Sequence, residues 1–437
     1  MSRLAAVDAQ TFWMSAKVPN DQFLLYAFAG DPDGADAAGP RARGTTPLAE
    51  PDGLDATLAA LRRRAAGCPD LRVRIADDCR TRYPRWAPRA VAGDQFVRHP
   101  AGAEWAGCLD AVAGLAGDQL DPVFAAWRLH VFPQVSGVPG ADTAIVAVLQ
   151  IAHALADGTR TAELAGWLFG RDMPVPGIAP VRRGNPLKRG LAAARAHRQL
   201  LADIEAGRVP APPPPRPLMP TNTLPAGRAR VRALVRNRRA LTANLPGATV
   251  TVAALAAIGE ALAAQLGGLD VERLGAEVPM RNSGIPHAHN HFHNVGIGLY
   301  PQAGRVERAA LIATDLRDAR TRDAHPVYAT ERAALAATPA ALLRWGTGRF
   351  DLGARPSAVT GNTVVSSVNR GAADLRFGAA PVLLTAGFPA LSPMMGLTHG
   401  VHGIGDTVVV SVHTVDGVLG GVADLDEYVD RLDAALG

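Results

Sequence analysis

The sequence predicts an α+β protein built as two halves joined by a long proline-rich crossover. Its 437 residues exceed one ordinary domain and suit two of roughly 200 residues. A hydrophobic fraction of 48 % supplies enough apolar surface for two cores. Helical and strand patterns mix on both sides of a stretch, 171–225, where proline is dense at both ends. The expected division is 1–175 for the first half, 176–225 for the linker and 226–437 for the second half.

Composition narrows the class. An aromatic content of 5 % and abundant alanine argue against a disulfide-rich, collagenous or disordered chain. Cys68, Cys79 and Cys108 are odd in number and form no C-x-x-C pair, which suits a reducing cytoplasm and excludes a thiolate zinc cluster. The opening M-S-R-L-A-A-V-D-A-Q lacks the apolar core of a signal peptide. No window holds 18 uninterrupted apolar residues, so no membrane span is expected. A net charge of +5 is mild and permits contact with an anionic lipid surface or a polyanionic cofactor without requiring either.

The elements follow in order. Ala56 to Ala66 is rich in alanine and leucine with arginines on one side, a surface helix. Trp127, Leu129 and Val131 alternate and predict a strand. Ile145 to Ile151 is apolar almost throughout, as for a strand buried on both faces, and it is placed to pair with the preceding one. Thr159 to Leu168 resumes a helical pattern. In the linker, Leu187 to Ala206 predicts a basic amphipathic helix with Leu187, Leu191, Leu201 and Ile204 along one side. Such a helix can lie on a membrane but more often packs on its own protein. V-P-A-P-P-P-P-R-P-L-M-P is expected as extended polyproline outside any core. The second half opens with a strand at Arg228 to Val235 and a helix at Thr251 to Leu266. Strands follow at Val295 to Tyr300, Asn362 to Val368, Val382 to Ala386 and Thr407 to His413, then a last helix capped by Asp424 or Asp426.

Two histidine patterns compete for chemistry. P-H-A-H-N-H-F-H-N puts His287, His289, His291 and His293 at alternate positions. Proline and asparagine mark it as a solvated polar loop at a domain interface, and its spacing is not that of a structural zinc site. His153 lies in A-H-A-L-A-D-G, just past the buried strand. A strand end can hold an imidazole rigidly at the floor of a channel, where a general base is useful. Asp157 is read as tying the turn down through an arginine, and Gly158 as permitting a sharp turn or a close backbone approach. The usual motifs of serine hydrolases, zinc proteases, P-loop proteins and dinucleotide enzymes are missing. What remains is acyl transfer by a histidine base.

At this point the chain resembles the bacterial wax ester synthase/diacylglycerol O-acyltransferase family, within the histidine-dependent acyl-CoA acyltransferase and condensation-domain superfamily. Leu4 to Trp13 resembles the family's L-S-x-x-D-x-x-F-L, and Cys68 to Arg74 its P-x-L-R-x-R. Leu120 to His130 is similar to L-D-R-x-R-P-L-W, and A-H-A-L-A-D-G falls where the family has H-H-x-x-x-D-G. Val278 to Arg281 followed by Asn290 resembles V-P-V-S-x-R and its later G-N, and Asn362 to Gly371 resembles N-x-x-x-S-N-V-P-G.

The resemblance implies two chloramphenicol-acetyltransferase-like halves, each a mixed sheet with packed helices, enclosing a channel. It implies long-chain acyl transfer from acyl-CoA to diacylglycerol or a fatty alcohol, with His153 as general base. Asp157 and Gly158 would support the site, with Arg72 as the partner of Asp157. Ser366 or Ser367 is the candidate oxyanion donor, since alternation lets only one of them face His153. No metal or cofactor is implied beyond acyl-CoA as substrate, and no nucleic acid. The expected location is the cytoplasm, with peripheral contact at the inner membrane face or lipid inclusions. Ala152 replaces the family's first histidine, T-V-T-V-A-A its T-V-N-D-V-V, and Ser367 and Asn369 the Asn and Pro of S-N-V-P-G. These departures leave two alternatives: transfer to another specialised alcohol, or a catalytically weak acyl-lipid-binding paralogue.

Overall fold

The computed structural model describes residues 2–30, 51–267 and 270–437. Two six-stranded sheets dominate. The first runs in the order Arg376–Phe377, Ala380–Phe388, Gln22–Ala29, Thr143–Ile151, Trp127–Ser136, Phe96–Arg98. The second runs Ala229–Asn237, Thr407–Val415, Leu397–Ile404, Thr363–Asn369, Gly275–Arg281, Phe292–Gly298. Both mix parallel and antiparallel pairs, and helices pack against them, which gives the expected α+β class.

The central strand Thr143–Ile151 is buried from Ala144 to Ile151, and it pairs with Trp127–Ser136 as predicted. Alternate residues serve two cores. Ala147, Leu149 and Ile151 face one with Leu24, Tyr26 and Phe28. Val146 and Val148 face the other, where Val231 and Val409 of the second sheet join them. That shared core fixes the sheets face to face, and apolar burial on this scale is the main force holding the halves together.

One strand is not where the chain order suggests. Ala380–Phe388, predicted among the strands of the second half, pairs antiparallel with Gln22–Ala29 and completes the first sheet. The linker also departs from expectation. Its helix, Pro186–Glu205, buries Leu200 with Ala196 and Ile204 against Val209, Val327 and Tyr328. Leu187, Leu191 and Leu201 are exposed, so of the predicted stripe only Ile204 packs inward. The proline run is not outside the core: Met219 is buried in the second core, and Arg216 is buried as well. The last helix, Val422–Leu436, begins after Gly421; Asp424 reaches back to the Gly421 N–H, and Asp426 pairs with Arg232 instead of capping.

Candidate active site

Where the strand Thr143–Ile151 ends, the chain makes a tight turn, with Ala152 N–H donating to Ala126 O at 2.9 Å and Leu155 N–H to Ala152 O at 2.8 Å. His153 sits in this turn, half-buried, its ring stacked 5.7 Å from that of Phe292. Gln22 Nε2 lies 3.2 Å from His153 Nδ1 and donates to Ala156 O at 2.7 Å. Burial lowers the imidazole's pKa below the ordinary histidine value, while its own carbonyl, Asp157 and Asn290 favour the charged form. The neutral ring is therefore the resting state at pH 7, as a base requires.

Asp157 is the N-cap of the helix Gly158–Leu168. One carboxylate oxygen accepts from Arg160 N–H and the other from His291 N–H, both at 2.9 Å. Arg72 plays no part: it is exposed and makes no ion pair with Asp157, which corrects the expected tether. Backbone amides replace the arginine: one is presented by the helix N-terminus that Asp157 caps, the other by the histidine loop of the second half. The nearby Arg160 pairs instead with Asp70. Gly158 does not adopt left-handed backbone. It lies against the second half, where a Cβ would stand 3.4 Å from Val368 Cγ2, an ordinary contact.

The histidine loop of the second half clamps this turn, and it is not simply solvated. Asn290 is buried and donates through Nδ2 to His153 O at 2.8 Å. Asp157 N–H donates to His289 O at 3.2 Å. Asp8, from the first helix, accepts from the His289 and Asn290 amides at 3.0 and 2.9 Å. The four imidazoles diverge: His287 bonds Pro180 O, His289 Asp8, and His293 Asn282, while His291 Nε2 is buried without a partner. Among the described residues no group of three or more His, Cys, Asp or Glu side chains is arranged to hold a metal ion.

A cavity of about 950 Å³ opens between the halves. His153, Gln22 and Gly158 line it from the first, and Ser366, Val368 and Arg370 from the second. Val365 is buried in the second core, so alternation puts Val364, Ser366 and Val368 on the opposite, cavity-facing side. Ser366 has no hydrogen-bond partner among the described residues. Ser367 is bonded to Thr251 Oγ1 at 2.7 Å, although it too borders the cavity. The proline run contributes Pro212 to Pro215, so the linker walls the site as well as joining the halves.

Asp8 and Asn290 were visible in the sequence only as parts of longer motifs. Gln22 gave no signal. Arg370 and His402, both buried and both lining the cavity, were passed over. Arg370 stands where an apolar strand ends, the same cue that marked His153.

The architecture is that of the chloramphenicol-acetyltransferase-like and condensation-domain fold. A wax ester synthase/diacylglycerol acyltransferase from Marinobacter aquaeolei superposes with a TM-score of 0.61 at 17 % identity, over 100 % of this chain and 98 % of that one. A trichothecene 15-O-acetyltransferase from Fusarium sporotrichioides gives 0.57 at 12 % identity, over 99 % and 94 %. A variant of the starter condensation domain of rhizomide synthetase, in complex with C8-CoA, gives 0.54 at 13 %, over 99 % and 94 %. At these identities the likeness is one of fold. No protein-family model matches the chain, and no curated protein matches it by sequence.

Proposed function

We propose that this chain is a CoA-dependent O-acyltransferase that moves an acyl group from acyl-CoA to an alcohol through His153. The observation that carries the reading is His153 at the wall of the inter-half cavity, neutral, clamped by both halves and sharing that cavity with an unpartnered serine. A base acting through Nε2 needs its proton on Nδ1, which requires the Gln22 side chain to present its oxygen rather than its Nε2 to that nitrogen. His153 takes the hydroxyl proton as the alcohol oxygen attacks the thioester carbon. Ser366 donates to the oxygen that gains charge. The imidazolium then returns the proton to the departing CoA thiolate. No covalent enzyme intermediate is required.

The fold neighbours support acyl transfer as the reaction type, since one is a wax ester synthase/diacylglycerol acyltransferase, one an O-acetyltransferase, and one holds C8-CoA. Diacylglycerol or a long-chain alcohol is the acceptor suggested by the sequence resemblance. Peripheral contact with a lipid surface is supported by the exposed Leu187, Leu191 and Leu201 beside the exposed Lys188, Arg195 and Arg198. No helix among the described residues is long and apolar enough to cross a membrane. Glu277, Arg281, Arg370 and His402 in the cavity favour a second reading, a more polar specialised alcohol.

The test is release of free CoA from palmitoyl-CoA, with and without diacylglycerol or hexadecanol. Release that depends on an alcohol and is lost in His153→Ala is expected. Alcohol-independent release, or binding of acyl-CoA without turnover under every acceptor, sinks the proposal.

A further inference from the structure

The proton-transfer scheme leaves Arg370 unused. This residue follows the strand Thr363–Asn369 and is only 4 % exposed, yet it lines the cavity. One guanidinium nitrogen donates to the Thr385 hydroxyl, and the group lies 5.0 Å above the Tyr26 ring. Its Nε has no hydrogen-bond partner, and no carboxylate among the described residues forms an ion pair with it. His402, 5 % exposed, borders the same cavity with Nδ1 also unpartnered. The two side chains reach this spot because position 387 is glycine. A Cβ there would stand 2.7 Å from His402 Cε1 and 2.9 Å from Arg370 Nη2.

Arginine remains protonated in proteins, so this is a buried cation without a counter-ion. Such a charge is strongly destabilising unless something pairs with it. The other acids of the cavity do not. Asp157 is spent on backbone amides, and Glu277, whose pKa burial raises, bonds Asn294. A wall built only for an aliphatic chain has no use for a guanidinium and an imidazole.

We propose that Arg370, with His402 beside it, is the recognition site for a carboxylate, carried either by the acceptor or by the far end of the acyl group. The proposal rests on the acyltransferase reading and names the chemical class of one substrate. The planar guanidinium offers two parallel N–H donors to a carboxylate. Burial and the neighbouring Arg370 charge hold His402 well below the ordinary histidine pKa, so it adds a neutral hydrogen bond rather than a second charge. One cation enclosed by Tyr26, Thr385 and Gly387 fits a compact monoanion rather than the polyphosphate of CoA.

The test is calorimetric binding of two matched pairs to the full chain: 3-hydroxydecanoate against its methyl ester, and glutaryl-CoA against pentanoyl-CoA. In the wild type one anionic member should bind at least ~10-fold tighter than its neutral partner, and the pair that shows the preference identifies the carrier. Arg370→Met should abolish the preference while melting at or above the wild-type temperature, because it removes an uncompensated charge. Should that variant not fold, Thr385→Val, which loosens one guanidinium anchor, should reduce the preference. Equal affinity for both members of both pairs in the wild type, or a preference that survives Arg370→Met, overturns the proposal. Arginine-dependent binding of the acid without CoA release from any acyl-CoA leaves the site standing and defeats the acyltransferase reading. CoA release with equal kcat/KM for acidic and neutral substrates does the reverse.

Discussion

The turn at His153 and the strand end at Arg370 border one cavity, yet they are held in opposite ways. At the turn the groups that fix His153 are matched: both Asp157 oxygens accept backbone amides, and Asn290 Nδ2 binds the His153 carbonyl, although Asn290 Oδ1 and His291 Nε2 are buried without partners. At the strand end Arg370 Nε and His402 Nδ1 are buried and unmatched. Satisfied hydrogen bonds hold a reacting group in one geometry. Unsatisfied ones store an interaction for whatever arrives. The contrast separates positioning from recognition within a single site.

The largest effect should come from the turn. His153→Ala is expected to lower kcat by about 10²–10⁴, the range for loss of a positioned base, with an unchanged melting temperature. Turnover above a third of wild type would remove His153 from the chemistry. Next, the two serines should separate. Ser366→Ala should cost about 10² in kcat as an oxyanion donor, whereas Ser367→Ala should cost only about 0.5–1.5 kcal/mol of stability through its lost bond to Thr251. Equal kinetic effects would mean the strand does not present Ser366 as its alternation implies.

The clamp itself is tested at Asp157. Asp157→Asn turns an amide donor toward the N–H of Arg160 or His291, and about 1–3 kcal/mol of stability should be lost in urea denaturation. Full stability with a selective loss of kcat would make Asp157 a catalytic group instead.

Stability should also fall with acid. Burial pushes the pKa of His130 down to about 4 and that of His399 to about 3, and lowers those of His402, His413 and His153. Below about pH 6.5 the unfolded chain binds protons these histidines refuse, so stability drops as pH falls from there toward the folded-state values. Asp21, raised to about 6 by burial, works the other way between 3.8 and 6 but is outnumbered. A melting temperature that rises between pH 7 and pH 5 would contradict this balance. The smallest effect is expected at Arg72. It is exposed, so Arg72→Ala should stay within about 0.5 kcal/mol of wild type, and a larger loss would restore it as a tether.

Much of this was legible where the signal is local. The apolar run at Ile145 to Ile151 gave a buried strand, and the alternation at Trp127 its neighbour. Other elements were hidden by composition. Leu397–Ile404 is fully strand, but two histidines and two glycines break its pattern, and their reason is tertiary: Gly400 packs against the Gly387 carbonyl. The partner of Asp157 was missed because an amide from a loop 134 residues away leaves no trace in side-chain identity. Arg370 was missed for a different cause. It lay inside the Asn362 to Gly371 stretch, but a single arginine there has no evident role until a cavity is seen beside it.

The strand Ala380–Phe388 has a consequence for how the molecule is made. Until it emerges from the ribosome, one edge of Gln22–Ala29 has no neighbour, although the other edge pairs with Thr143–Ile151. At 5–20 residues per second that interval lasts ~10–50 s, during which an apolar edge stands open to any other strand. The nascent first half is thus a natural client for a chaperone, and a polypeptide stopped after residue 225 should aggregate rather than fold.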